Sequence, residues 1–130
     1  MAGLAVGAGA FGAHWLKSEL PRRGLAIEEQ HRLLEVWDVA VRYQMYHALG
    51  LIAIGLLGQR QSNRFLRWAG LLFLAGVFIF CGCLYALVLS GVKVLGAIVP
   101  VGGFAMIGGW VCLALAAGRL LGPSDQDAGR

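Results

Sequence analysis

Charged residues are scarce in this 130-residue chain. Asp, Glu, Lys and Arg make up 14% of the sequence, whereas hydrophobic residues make up 58%. An ordinary soluble domain carries about 25% charged residues, because most of its surface must be polar. A soluble protein of this length would have to bury four apolar segments with too little polar surface to cover them. The composition therefore argues against a soluble globular domain and indicates a membrane protein.

Recognisable catalytic, metal-binding and nucleic-acid-binding patterns are also missing. The apolar segments contain no HExxH, no CxxCH and no paired carboxylates, and basic residues do not alternate with aromatic ones as in a nucleic-acid groove. The three cysteines, Cys81, Cys83 and Cys112, lie inside apolar segments, and two residues that are two apart on a helix point to different sides. We interpret them as buried free thiols. The sequence predicts no enzyme activity, no metal site and no nucleic-acid partner.

Four uncharged runs account for most of the chain. They cover residues 1–16, 43–59, 68–92 and 94–118 and contain 16, 17, 25 and 25 residues. A helix that crosses a bilayer needs about 20 predominantly apolar residues. The last two runs are long enough, and the run 43–59 becomes long enough if Arg42 extends its guanidinium towards the headgroups. The first run is of marginal length.

These runs predict an all-α integral membrane protein with one domain, residues 1–120. The expected fold is an antiparallel four-helix transmembrane bundle, because the turns between the later helices are short. Charged and apolar residues alternate at helical spacing just before the second run, which predicts an amphipathic segment that lies at the interface or continues into the next helix. The predicted helices are 2–16, 43–58, 66–90 and 97–120, with a loop at 17–24, the amphipathic helix at 27–42 and a polar tail at 121–130.

Polar and aromatic residues gather near one end of the predicted bundle. In an antiparallel bundle, the end of the first helix, the start of the second, the end of the third and the start of the fourth lie near the same membrane face. We therefore predict a polar pocket near that face. Its candidate residues are His14, Arg42, Tyr43, Tyr46, His47, Tyr85, Pro100, Gly102, Gly103 and Trp110.

The geometry expected of this pocket follows from the cost of placing polar groups in lipid. Arg42, Tyr43, Tyr46 and His47 share an arc of about 140° on a helical wheel, and ionisable groups at membrane depth require partners. We expect Arg42 and His47 to face the bundle interior and His14 to approach His47 or Tyr43.

Two further expectations concern the other helices and the possible ligands. Tyr85 is expected near the segment 100–103, where Pro100 favours a kink or a helix start. Two alternatives stay open. The tyrosines and Trp110 could simply lie at the membrane interface while the two histidines tie helices together. His14 and His47 could also ligate a haem or a metal, because imidazole is a common ligand.

Four stretches resemble the successive motifs of a known family. They are GAFGAHWLK (9–17), RYQMYHALGLIAIGLL (42–57), FCGCLYALVLSG (80–91) and LGAIVPVGGFAMIGGW (95–110). They are similar to the domain-of-unknown-function family typified by bacterial inner-membrane YgdD, with transmembrane protein 256 as a eukaryotic relative. The resemblance implies a multi-pass protein of the bacterial inner, or plasma, membrane, and it supplies no activity.

The chain departs from that family at two places. Cys81 and Cys83 stand where the family commonly has serines, and a thiol bonds a backbone carbonyl more weakly than a hydroxyl does. Any role of the serines in the family is therefore not carried over to this sequence. The chain is also shorter than family members before the GAFGAH motif.

The sequence leaves two main hypotheses about function. The first is a non-enzymatic accessory or structural subunit that packs against a membrane partner, a larger complex or a second copy, because the first and last helices are rich in small residues. The alternative is binding or transport of a small molecule, a lipid or a quinone through the polar pocket, since Arg42 would suit an anionic group.

Overall fold

The computed structural model describes residues 1–59 and 63–121, and the elements within those ranges are all helical. Within these ranges the chain forms five α-helices, and its N-terminal part also contains a π-helical turn and a 3-10 helix. The predicted polar tail falls almost entirely outside the described residues. The elements are α1 (Ala2–Phe11), the π turn (Gly12–Leu16), α2 (Lys17–Glu19), the 3-10 helix (Leu20–Arg23), α3 (Ile27–Gly58), α4 (Arg64–Ser90) and α5 (Leu95–Leu121).

The N-terminal segment stays helical far beyond the expected helix end. Where a loop was expected at 17–24, the chain passes from α1 through the π turn and α2 into the 3-10 helix. Pro21 is compatible with this path, because it lies at the start of the 3-10 helix, where its missing N–H would have no helical partner. Gly24 ends the segment in the left-handed conformation, with φ of 68°.

Helix α3 joins the amphipathic segment and the second predicted helix into one element. It contains 32 residues from Ile27 to Gly58, which corresponds to a length of about 48 Å at 1.5 Å per residue. Neither proline nor glycine occurs between Ile27 and Leu49, so nothing in this stretch interrupts the helix. The charged half of α3 therefore continues directly into its apolar half.

Helices α4 and α5 begin and end at recognisable signals. Asn63 caps α4 because its side-chain oxygen accepts a hydrogen bond from the Phe65 backbone N–H, and Gly91 ends the helix with φ of 75°. Helix α5 begins at Leu95, five residues before Pro100, which lies inside the helix and does not start it. These two helices are long and apolar enough to cross a membrane, judged by length and composition.

Helix α4 lies at the centre of the fold. It packs antiparallel against α5, and Gly102 lies opposite Gly76 and Phe80 while Gly109 lies opposite Phe73. Helix α4 also packs antiparallel against α3, with Phe73 against His47 and Tyr85 against Gln44. Two clusters of buried residues fill the spaces between helices. The first contains Leu16, Leu20, Leu33, Trp37, Leu87 and Val88, and the second contains Ala40, Val77, Cys81, Leu84 and Met106.

Helix α1 lies against the first half of α3. The Trp37 indole donates a hydrogen bond to the Ala8 carbonyl at 2.8 Å, and Leu16 packs with Leu33 in the first cluster. Met1 lies level with Gln44, whose amide donates to the Met1 carbonyl. The N-terminal segment thus runs antiparallel to α3 and ends beside the charged half of that helix.

Candidate functional site

Two polar side chains are buried in the described part of the chain, and both belong to α3. Gln44 is 7% exposed and His47 is 4% exposed. Residues three apart lie on the same face of a helix, so both side chains point from α3 into the bundle. A buried polar group destabilises a protein unless it is hydrogen-bonded. The partners of these two residues therefore define the polar centre of the protein.

His47 uses both of its ring nitrogens. Nδ1 lies 2.7 Å from the Tyr43 carbonyl oxygen, and Trp110 Nε1 donates to His47 Nε2 at 3.2 Å. Because a carbonyl can only accept, Nδ1 carries the proton, and Nε2 is the unprotonated acceptor for the indole. The arrangement requires the neutral form of His47 with the proton on Nδ1. No lone pair of this imidazole remains free for a metal or a haem iron.

Aromatic rings enclose the His47 imidazole. Phe73 of α4 meets it edge-on with ring centroids 5.1 Å apart, and Trp110 of α5 meets it at 6.0 Å. Phe73 reaches this position because Gly50 has no side chain, since a Cβ there would lie 2.7 Å from the Phe73 ring. His47 thus joins α3, α4 and α5 at one point.

Gln44 makes a second set of contacts about one helical turn away. Its side-chain oxygen accepts a hydrogen bond from the Tyr85 hydroxyl at 2.8 Å, and its amide nitrogen donates to the Met1 carbonyl at 3.4 Å. Tyr85 in turn packs against Trp37 with ring centroids 4.6 Å apart. These contacts join α1, α3 and α4.

The sequence patterns do not place Gln44 or Trp37 among the predicted site residues. The position of Gln44 is the signal that could identify it. Among the four uncharged runs, the only other side-chain amide is Gln59, at the end of the same run. An amide at membrane depth needs hydrogen-bond partners for the same reason as a histidine does.

A shallow cleft opens beside His47 on the outer surface between α3 and α5. Its volume is about 650 Å³. Tyr43 and Tyr46 are 41% and 55% exposed at its edge, and the Tyr43 ring stacks on Phe80 at 4.8 Å. The cleft is lined by Tyr43, Tyr46, His47, Leu49, Gly50, Ala53 and Trp110.

Arg42 does not face the bundle interior, so that expectation is wrong. Its side chain is 56% exposed and forms an ion pair with Asp38, with Nε 3.3 Å from Oδ2. Asp and Arg four residues apart on a helix are neighbours, and this spacing supplies Arg42 with a partner on its own helix. The guanidinium therefore needs no contact inside the bundle.

His14 does not approach His47 or Tyr43, which corrects a second expectation. It lies in the π turn and is exposed. Because Leu16 packs with Leu33 and Met1 lies level with Gln44, His14 is about 20 Å from His47 along the axis of α3, at 1.5 Å per residue. The two histidines are too far apart to ligate one haem iron.

The remaining predicted site residues are separated among different contacts. The Tyr85 hydroxyl bonds Gln44 of α3. Pro100 is exposed, whereas Gly102 is buried against the backbone of α4. Gly103 faces the Phe80 ring at a wider distance. Of the ten predicted residues, Tyr43, Tyr46, His47 and Trp110 meet at the cleft.

The chemistry available at this centre is limited by its hydrogen bonds. Every buried side-chain nitrogen or oxygen in the described residues has a partner within the chain. Over the same ranges, no three side chains of His, Cys, Asp or Glu are placed together as a metal site. The arrangement ties four helical segments together through hydrogen bonds that occupy the buried side-chain nitrogens and oxygens.

The sequence is similar to several bacterial membrane proteins. A UPF0382 membrane protein of Staphylococcus haemolyticus is 42% identical over 119 residues, which cover 92% of this chain and 89% of the relative. The UPF0382 membrane protein YwdK of Bacillus subtilis is 41% identical over 119 residues, covering 91% of this chain and 89% of YwdK. A Staphylococcus aureus relative is 43% identical, again over 92% and 89% of the two chains. No solved structure matches the fold.

A family model described as "Protein of unknown function (DUF423)" matches residues 8–103. The matched region begins in α1 and ends in α5, so it contains Trp37, Gln44, His47 and Tyr85. The resemblance to a small membrane family without an assigned activity is thereby confirmed. The chain belongs to the DUF423 family of membrane proteins of unknown function.

Proposed function

We propose that this chain is a multi-pass protein of the bacterial plasma membrane that acts as a non-enzymatic accessory subunit. In this proposal the N-terminal helical segment, α3, α4 and α5 form an antiparallel four-helix transmembrane bundle. The bundle acts by packing its outer surface against another membrane protein. The observation that carries the proposal is the pairing of every buried polar side-chain atom in the described residues within the chain.

Internal pairing distinguishes a structural polar centre from a reactive one. Catalytic groups must be able to exchange their hydrogen bonds with a substrate. Here His47 is held by Tyr43 and Trp110, and Gln44 is held by Tyr85 and Met1. Such contacts favour a rigid scaffold over an active site.

Helix α5 offers the surface best suited to a partner. Only 17% of its apolar stretch is buried inside the chain, compared with 33% for α4. Phe104 is 74% exposed and Ile107 is 61% exposed on its outer face, and the small residues Ala105 and Gly108 lie next to them in the sequence. Small residues allow a second helix to approach closely in a membrane.

Photo-crosslinking at native expression levels tests this proposal. A photoreactive phenylalanine analogue at Phe104 should give one adduct of defined mass, and the same partner should co-purify in a fixed ratio. Phe78 is the matched control, because it is 73% exposed on α4. A chain that purifies alone and gives no discrete adduct at Phe104 contradicts the proposal.

A second candidate function rests on the cleft beside His47. Its aromatic lining and volume of about 650 Å³ suit an apolar ring or a lipid chain, as binding sites commonly combine aromatic walls with a few polar groups. A short-chain ubiquinone analogue should quench the fluorescence of Trp110 if it binds there. The change Ala53→Leu should fill the cleft and abolish the quenching, whereas Ile52→Phe, outside the cleft lining, should leave it unchanged. Equal quenching in all three proteins rules out binding at the cleft.

A further inference from the structure

A second pocket lies at the end of α4, away from the polar centre. Its volume is about 400 Å³, and four separate parts of the chain contribute to it. They are the 3-10 helix, the first turns of α3, the last turn of α4 and the connection from α4 to α5. The charged or polar residues lining the pocket are Arg23, Glu29, Arg32, Ser90 and Lys93.

The charges in this pocket do not balance. Arg32 is paired with Glu29 through two hydrogen bonds, each 2.7 Å long. Within the described residues, neither Arg23 nor Lys93 forms an ion pair with an acidic side chain. The pocket therefore carries two positive charges that no neighbouring carboxylate neutralises.

Arg23 is fixed in place by the end of α4. Its Nη1 donates to the carbonyl oxygens of Val88 at 3.1 Å and Leu89 at 3.4 Å. The other N–H groups of a guanidinium remain available as donors after such a contact. Gly91, with φ of 75°, then turns the chain, so that Lys93 lies on the wall of the same pocket. Two cations from distant parts of the sequence are thus held together.

The pKa of the Glu29 carboxyl indicates the same excess of positive charge. Its pKa is held below the ordinary value, chiefly by the hydrogen bond from Arg32, with smaller contributions from the charges of Arg32 and Lys93. Lys93 is close enough to act on this carboxylate, although it does not pair with it. Because Glu29 pairs with Arg32, Arg23 and Lys93 remain available to bind a ligand.

The depth of the pocket matches that of lipid phosphates if α4 crosses the membrane. Helix α4 has 27 residues and is about 40 Å long, whereas the hydrocarbon core is about 30 Å thick. The end of α4 then projects into the headgroup region, where basic residues attract anionic lipids.

We propose that Arg23 and Lys93 form a binding site for a phosphate group. Arg32 lines the same pocket but is paired with Glu29 and does not bind the phosphate in this arrangement. The group belongs either to the headgroup of an anionic phospholipid or to a soluble phosphate ester. Guanidinium and ammonium groups are the side chains that recognise phosphate in proteins. The site is separate from the α5 surface, so the loss of a membrane partner would leave phosphate binding unchanged.

Native mass spectrometry of the purified full-length chain tests whether the phosphate group belongs to a lipid headgroup. The protein is equilibrated with equal amounts of phosphatidylglycerol and phosphatidylcholine, and the ratio of the two adducts is measured. The wild type should prefer phosphatidylglycerol, and Lys93→Gln should lower the ratio about fivefold, which corresponds to about 1 kcal/mol for one basic residue near the surface. Glu29→Gln should raise the ratio, because it releases Arg32. A misfolded variant would not show that increase.

Lys17→Gln is the matched control, since Lys17 is exposed and does not line this pocket. It should leave the lipid ratio unchanged. If the phosphate belongs to a soluble ester, the wild type and Lys93→Gln should have the same lipid ratio. Inorganic phosphate should then raise the melting temperature of the wild type but not of Lys93→Gln. The proposal is overturned if neither lipid nor phosphate distinguishes Lys93→Gln from the wild type, or if Lys17→Gln has the same effect as Lys93→Gln.

Discussion

His47 shows how a single residue can connect three helices without being reactive. Its two nitrogens have opposite roles, one as donor to Tyr43 and one as acceptor from Trp110. Removing one partner of a buried hydrogen bond leaves the other partner unsatisfied, whereas removing both leaves only the change in packing. This asymmetry makes the role of His47 measurable without an activity assay.

Trp110→Phe should destabilise the protein by about 1 to 3 kcal/mol, because His47 Nε2 loses its donor while remaining buried. The double variant His47→Leu with Trp110→Phe should lose less stability than the sum of the two single changes. Reversible denaturation in mixed micelles, followed by circular dichroism, measures these values. Strict additivity would show that the bond between these residues contributes nothing.

Tyr85→Phe provides a second test at this scale. Gln44 is 7% exposed, so the loss of the Tyr85 hydroxyl should again destabilise the protein by about 1 to 3 kcal/mol. Tyr46→Phe removes the same atom from a side chain that is 55% exposed. It should change the stability by less than about 0.5 kcal/mol. Equal effects of the two changes, measured by the same denaturation, would contradict the role of Tyr85.

At the residue scale, the sequence predicted which residue types need partners better than it predicted their directions. A helical wheel gave the polar arc of α3, but it could not show that Asp38 already satisfies Arg42. His14 does not reach His47 because α3 begins at Ile27, so the end of the N-terminal segment lies level with Leu33 and about 20 Å from His47. The sequence does not single out Gln44, because a lone amide matches no motif.

The close contact of α4 and α5 dominates the packing at the scale of elements. Gly76 and Gly102 face each other, and a Cβ on Gly102 would lie 2.5 Å from the Phe80 backbone nitrogen and 2.8 Å from the Gly76 carbonyl oxygen. Backbone atoms cannot rotate away as the tip of a side chain can. The two helices could accept a methyl group there only by moving apart.

Gly102→Ala should therefore destabilise the protein by about 1 to 3 kcal/mol through overpacking. The neighbouring change Gly103→Ala is the control, since its Cβ would meet nothing closer than the Phe80 ring at 3.9 Å. Alanine also favours a helix over glycine by about 1 kcal/mol, so Gly103→Ala should leave the melting temperature in detergent equal or higher. If Gly103→Ala destabilises as strongly as Gly102→Ala, the backbone approach is not the cause.

The existence of α4 and α5 followed from hydropathy, because an uncharged run of 25 residues leaves few alternatives to a helix in lipid. The N-terminal elements were harder to predict. Pro21 and Gly24 suggested a loop, yet Pro21 fits the first turn of the 3-10 helix and only Gly24 ends it. A proline or a glycine in the sequence does not show at which residue the preceding helix ends.

At the scale of the whole molecule, the helices are not equivalent. Helix α4 contacts both α3 and α5, whereas α1 rests on the charged half of α3. The start of α3 and the connection between α4 and α5 lie at one end, and Gln59 lies at the other. This arrangement fixes which positions share a membrane face if the bundle spans the bilayer.

Labelling with a membrane-impermeant maleimide tests that topology. Cysteines introduced at Ile27 and Val94, which are 71% and 73% exposed, should react from the same side of the membrane, and one at Gln59 should react only from the opposite side. The native Cys81, Cys83 and Cys112 lie within α4 and α5 and should stay unlabelled in intact membranes. Reaction of the Ile27 and Gln59 cysteines from one side would contradict the transmembrane arrangement of α3.

The partners of the two buried polar residues of α3 have a consequence for synthesis of the chain. Tyr85 lies 41 residues after Gln44, and Trp110 lies 63 residues after His47. While the ribosome is still translating α4, a nascent α3 already carries an amide and an imidazole with no side-chain partner from α4 or α5. Entry of α3 into lipid at that stage is unfavourable. If α3 spans the membrane as proposed, we expect its stable insertion to depend on the arrival of α5, and a polypeptide truncated before Trp110 should be degraded faster than the full-length chain.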